Sequence, residues 1–113
     1  MVILLEMDRT IGQVRYDVTA RLTSPEVREE YVAWLRGHVR EVIGAGALRT
    51  SVLVMDEHLE VTASYTFAGR GALERYLEEH APRLRADGLA RFGGRATMRR
   101  SVGEVVDVAE GAA

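Results

Sequence analysis

Tyr31, Trp34 and His38 recur at three- and four-residue spacing, which brings a phenol, an indole and an imidazole onto one strip of a helix. An imidazole titrates at about 6.5, so His38 is suited to act as a general base or to orient a molecule held beside Trp34. The competing reading is a buried histidine that hydrogen-bonds a backbone or hydroxyl group and fixes its helix on a sheet. His80 occupies the matching strip of a second helical pattern, directly before Ala81-Pro82. Proline breaks a helix there and leaves carbonyls without donors, so His80 is expected to cap the break, with catalysis as the alternative. His58 falls in a turn and is expected to be solvated. The catalytic candidates are therefore His38, His80 and Tyr31.

Other chemistries are excluded by what the chain lacks. It has no cysteine, which removes disulfides and thiolate metal sites. His38 and His80 lie on different helical patterns without a carboxylate at ligand spacing, and Glu79 and Asp87 are expected to face outward, so no metal is expected. There is no phosphate-cradling glycine loop, dinucleotide fingerprint or nucleophile motif, and no cofactor is expected. Arg83, Arg85, Arg91, Arg95, Arg99 and Arg100 make the C-terminal third basic. An anionic ligand at the open end of a sheet and paired surface charges are the two readings of that cluster. A formal net charge of −2 counts against a nucleic-acid or polybasic membrane surface.

The elements that position these residues follow from periodicity. With 113 residues, 47% hydrophobic and 28% charged, the chain is sized for one ordered domain. Met1 to Met7 is apolar but far short of the roughly 20 residues a membrane span needs, and it has no basic flank or cleavage pattern. A cytoplasmic protein is expected. From Val14 to Leu22 apolar and polar residues alternate strictly, the signature of a strand with one buried face. Thr23-Ser24-Pro25-Glu26 opens a helix, either with Ser24 as cap and Pro25 first in the helix or with Thr23 and Glu26 as a capping box. The helix runs to Gly44 and Gly46. Leu48 to Met55 and Leu59 to Phe67 read as a hairpin turning at Asp56-Glu57-His58. A second helix starts near Arg70, breaks at Pro82, and continues from Leu84 to Phe92 with an interruption expected at Asp87-Gly88. Arg95 to Val102 is the last strand, and Val105 to Val108 could add a short one. The domain boundaries read as an N-terminal extension over 1–12, a folded domain over 13–103, and an acidic tail over 104–113.

The order β-α-β-β-α-β, with right-handed crossovers, predicts an α+β ferredoxin-like sandwich: a four-stranded antiparallel sheet with its helices on one face. Its first and third strands are central. Val14, Tyr16, Val18, Val61, Ala63, Tyr65 and Phe67 then face the helices. Arg15, Asp17, Thr19, Arg21, Glu60, Thr62, Ser64 and Thr66 form a polar, helix-free face. That face either meets solvent or lines a chamber against a second copy. Tyr16, Tyr65 and Phe67 have the wrong parity for an RNA-stacking sheet, which again excludes nucleic acid. Ser51 to Met55 carries neither proline nor lysine, and so unguarded an edge favours a homodimer. If the polar face encloses a small molecule, Trp34, Arg15, Asp17, Thr62, Ser64 and Arg99 are the candidate ligand contacts.

Two phrases carry a resemblance. Tyr31-Val-Ala-Trp-Leu-Arg-Gly-His-Val39 and the longer Tyr76-Leu-Glu-Glu-His-Ala-Pro-Arg-Leu-Arg-Ala-Asp-Gly-Leu-Ala-Arg-Phe-Gly93 are similar to the family catalogued as domain of unknown function 4286. The resemblance runs from about Val14 to Val102. It implies a dimeric α/β barrel, in which two ferredoxin-like sheets face each other, and it supplies no catalytic residues. Within the wider superfamily stand cofactor-independent monooxygenases, muconolactone-type isomerases, polyketide cyclases and haem-degrading enzymes. The expected function is thus a homodimeric protein of unknown activity with a small-molecule chamber between its sheets. The alternative is a cofactor-independent monooxygenase, cyclase or isomerase acting on an aromatic or polyketide-like substrate.

Overall fold

The computed structural model describes residues 10–112. Most of the expected N-terminal extension, and any pairing by Met1 to Met7, lies outside the described residues. Four strands, β1 (Val14–Leu22), β2 (Arg49–Val54), β3 (Glu60–Phe67) and β4 (Ala96–Glu104), form one antiparallel sheet in the order β2-β3-β1-β4. Three helices cover one face: α1 (Pro25–Gly44), α2 (Arg70–Glu79) and α3 (Ala81–Phe92). This is the expected ferredoxin-like α+β architecture, with the second helix divided in two.

Alternation in β1 and β3 decides which face the helices cover. Tyr16 stands opposite Tyr65, Ala20 opposite Val61 and Val14 opposite Phe67, and all six are buried. They meet Tyr31, Leu35, Val39 and Val42 of α1, Leu73 and Tyr76 of α2, and Leu84 and Phe92 of α3 in one core. At the start of α1 the Ser24 hydroxyl accepts the Val27 N–H at 3.2 Å, with Pro25 in the first turn, so the serine cap is the one used. Gly46, at φ 120°, takes the left-handed turn that a side chain would strain.

Two sequence expectations are revised. Gly88 does not interrupt α3, which is continuous over twelve residues; it is buried and faces Trp34, where a Cβ would stand 3.2 Å from the ring. Beyond β4 no strand forms over 105–108. Only Val105 stays with β1's end, donating to the Gln13 carbonyl at 2.8 Å and accepting from Gly12 N–H at 2.9 Å. No described helix is long and apolar enough to cross a membrane.

Candidate functional site

The sheet's two faces differ in what they can hold. On the helix-free face Arg15 pairs with Asp17 at 3.1 Å, Arg99 with Glu60 at 2.8 Å, and the Thr19 and Thr62 hydroxyls meet at 2.9 Å. Ser64 stands opposite Asp17 in the register. The Arg99 guanidinium, by its hydrogen bond, holds the Glu60 carboxyl below the ordinary carboxylate range. Asp17 Oδ1 is buried without a hydrogen-bond partner. Thus Arg15, Asp17, Thr62 and Ser64 share a face, as the alternation predicts, and the register with β1 adds Arg99 to it.

Trp34, Tyr31 and His38 lie on the other side, where helices and sheet enclose a cavity of about 230 Å³. Its walls are largely aromatic. Tyr16 and Tyr65 rise from the sheet, Tyr31 and Trp34 come from α1, Tyr76 from α2 and Phe92 from α3. Val18, Leu84, Ala96 and Met98 add apolar surface, and Arg85, Leu89 and Arg100 complete the border. The rings brace one another: Tyr31 against Phe92 at 5.1 Å edge-on, Trp34 against Phe92 at 5.6 Å edge-on, and Tyr16 against Tyr65 at 6.1 Å. Burial pushes the Tyr31 and Tyr76 phenols up to about 12, and Tyr65 well above the usual phenol range. The phenols are therefore neutral hydrogen-bonding groups at physiological pH.

His38 stacks on Trp34 with ring centroids 4.4 Å apart and planes 19° from parallel. Its Nδ1 is buried and has no hydrogen-bond partner. Nδ1 therefore makes no bond that would tie α1 to the sheet; the imidazole lies flat on the indole and borders the cavity. Burial pulls its pKa below the usual histidine value, while Glu41 and Asp87 pull it the other way. Neutral His38 keeps a lone pair or a proton free at a stated place, which suits it to exchange a proton or a hydrogen bond with a molecule in the cavity.

His80 is elsewhere. It sits between α2 and α3, its ring 6.5 Å from Tyr76, and does not line the cavity. Its side chain makes no capping bond; its backbone does the work, the N–H donating to Tyr76 O at 2.9 Å and the carbonyl accepting from Leu84 N–H at 3.2 Å. His58 lies in the β2–β3 turn at φ 65°, solvated as expected, with Glu57 at 3.5 Å. Among the described residues no three metal-ligating side chains cluster.

Sequence reasoning missed most of the wall. The alternation places Tyr16 and Tyr65 facing the helices but does not show that a cavity lies above them. The available signal was chemical: five polar-headed rings, four tyrosines and one tryptophan, converge where leucine or phenylalanine would fill space without needing partners.

Residues 13–106 match the family described as "Domain of unknown function (DUF4286)", and the chain belongs to that family. Among curated proteins none matches the sequence. Solved structures share the fold. A monooxygenase from the gene ActVA-Orf6 of Streptomyces coelicolor, in complex with the ligand nanaomycin D, superposes with a TM-score of 0.70 at 15% identity, covering 91% of this chain and 95% of that one. SnoaB, a cofactor-independent oxygenase from Streptomyces nogalater, gives 0.64 at 14% identity over 86% and 96%. A dimeric ferredoxin-like protein from an uncultured marine organism gives 0.66 at 20% identity over 86% and 98%. The chain thus shares its fold with a dimeric ferredoxin-like protein and with these two oxygenases.

Proposed function

We propose that this DUF4286 protein binds a planar aromatic molecule of one or two fused rings in the cavity beneath its helices. The observation that carries the reading is the cavity's composition, six aromatic rings around about 230 Å³. A dry cavity of about 150 Å³ suffices for benzene, so this one has room for a second ring. Ring stacking would supply affinity, and the phenols and His38 would supply orientation. The reading is tested with a neutral probe, 2-naphthamide, by thermal unfolding. A ligand at about 100 times its Kd stabilises the fold by about 2.7 kcal/mol, a shift of several degrees or more for a domain of this size. A saturable rise supports the cavity as a binding site; an unchanged midpoint at the solubility limit counts against it.

The form in which it would act is a cytoplasmic homodimer. Leu53, Val54 and Met55 are 48%, 52% and 40% exposed along the β2 edge, and two neighbours with this fold are described as dimeric. Two sheets facing each other would also give Asp17 Oδ1 a route to a partner. A chamber between those faces would lie on the opposite side of the sheet from the aromatic cavity.

A second reading, an enzyme, draws on neutral His38 with its unpartnered Nδ1 in that cavity. Cofactor-independent oxygenation takes its electrons from the substrate. A base removes a proton from an activated benzylic methylene, dioxygen adds to the carbanion, and loss of water from the hydroperoxide leaves a ketone, so that one oxygen enters product and one leaves as water. His38 is the base in this reading and Tyr31 a hydrogen-bond donor to the developing oxyanion. 2-Tetralone, with two fused rings and a methylene between ring and carbonyl, is a suitable probe: oxygen uptake above the buffer rate, lost in His38→Ala, supports the enzyme, and uptake equal to the buffer rate leaves a binding protein.

A further inference from the structure

Five arginines meet a carboxylate: Arg15 with Asp17, Arg70 with Glu104, Arg83 with Glu41, Arg95 with Glu30 and Arg99 with Glu60. Arg85 and Arg100 have no such partner among the described residues, and they are the two cations that border the aromatic cavity. They reach it from different elements. Arg100 stands opposite Val18 in the β1–β4 register, which places it on the helix-covered side of the sheet rather than beside Arg99 on the polar face. Arg85 comes from α3, and its Nη2 donates to the Tyr16 hydroxyl at 3.1 Å. That acceptor is neutral, so it fixes the guanidinium without cancelling its charge. Both cations act on the Tyr76 phenol, drawing it down against the effect of burial. Asp87, on the same helix as Arg85, accepts the Trp34 indole N–H at 3.4 Å.

An arginine facing water needs no partner, and others on this surface have none. These two differ in converging on one apolar cavity with a hydrogen bond already orienting one of them. A neutral aromatic ligand would leave both charges unused. We propose that Arg85 and Arg100 form an anion subsite at the rim of the cavity, so that the ligand is an aromatic acid, its rings among the aromatic side chains and its carboxylate at the two guanidiniums. The planar guanidinium fork matches a carboxylate in geometry as well as charge. This deepens the cavity reading given above and rests on it.

The test is a matched pair, 2-naphthoate and 2-naphthamide, titrated calorimetrically at neutral pH and low salt. The two share ring and shape and differ in charge. The acid is expected to bind about tenfold more tightly than the amide, the size of one charge-assisted contact at a partly exposed site. In the Arg85→Gln/Arg100→Gln double variant that preference should fall below about twofold, because the acid loses more affinity than the amide. Arg100→Gln alone, which removes no hydrogen bond of the fold, should lose about threefold of it and so covers the case in which the double variant fails to fold. Equal affinities in the wild-type protein, or a preference that survives the substitutions, would overturn the anion subsite while leaving the cavity reading in place. Binding of neither probe would instead remove the cavity reading, and the subsite with it.

Discussion

Gly88→Ala sets two effects against each other at the cavity wall. Gly88 lies inside the uninterrupted α3, where alanine is favoured over glycine by about 0.5–1 kcal/mol. Opposing this, the new methyl would stand 3.2 Å from Trp34 Cη2, with the next ring atoms at 3.6 and 3.9 Å. That is tight for one carbon only, and Trp34 has somewhere to go. It is half-buried, borders the cavity, is packed by the rings of His38 and Phe92, and makes one long hydrogen bond to an exposed Asp87. A tilt of a few tenths of an ångström relieves the contact, so the helix term wins. The net gain should be about 0.5 kcal/mol, or about 2–4 °C in Tm. The tilt moves the ring into the cavity, so affinity for a planar ligand should fall although stability rises. Gly88→Val, with two further carbons, should lose about 1–3 kcal/mol through overpacking. Thermal melts and a ligand titration read all three effects. A Gly88→Ala protein that melts several degrees below wild type would show a locked indole with no free space beside it, and would refute the reasoning.

Four other outcomes follow from the same geometry. Because burial lowers His38's pKa in the fold, its contribution to stability is full above about pH 6.5 and is lost as pH falls through the lower folded value; Tm of wild type should drop over that range more steeply than Tm of His38→Gln, and parallel curves would contradict the burial. Tyr31 and Tyr76, raised to about 12, should resist ionisation between about pH 10 and 12 in the folded protein, so phenolate absorbance should appear late and together with alkaline unfolding. Light scattering should give about twice the 12.5 kDa chain mass, and Leu53→Glu should reduce it; a wild-type monomer would remove the homodimer. Elemental analysis should find no stoichiometric metal, consistent with the absence of a ligand cluster among the described residues.

The fold was legible because strand and helix periods are written plainly here. Val14 to Leu22 alternates without a fault, Ser24-Pro25 marks a helix start, and Pro82 splits the second helix where a missing backbone donor must. The site was half legible. Helical spacing put Tyr31, Trp34 and His38 together, and they do border one cavity. Spacing along one helix could not show that three helices leave a gap above Tyr16 and Tyr65, since that depends on how the helices pack together on the sheet. Nor could it separate Arg100 from Arg99: adjacent residues on an edge strand point to opposite faces, and the register with β1 settles which is which. For His38 the sequence argued for a buried bond, and stacking on Trp34 replaced it.

The central claim is that a planar molecule enters beneath the helices, and the chain's single tryptophan reports on it directly. In an isotope-labelled sample the Trp34 indole N–H gives one identifiable signal. Titration with 2-naphthamide should move that signal saturably while the backbone signals of Thr62 and Ser64 change little. A Trp34 signal that stays fixed while those of Thr62 and Ser64 move would place the ligand on the polar face of the sheet and contradict the account.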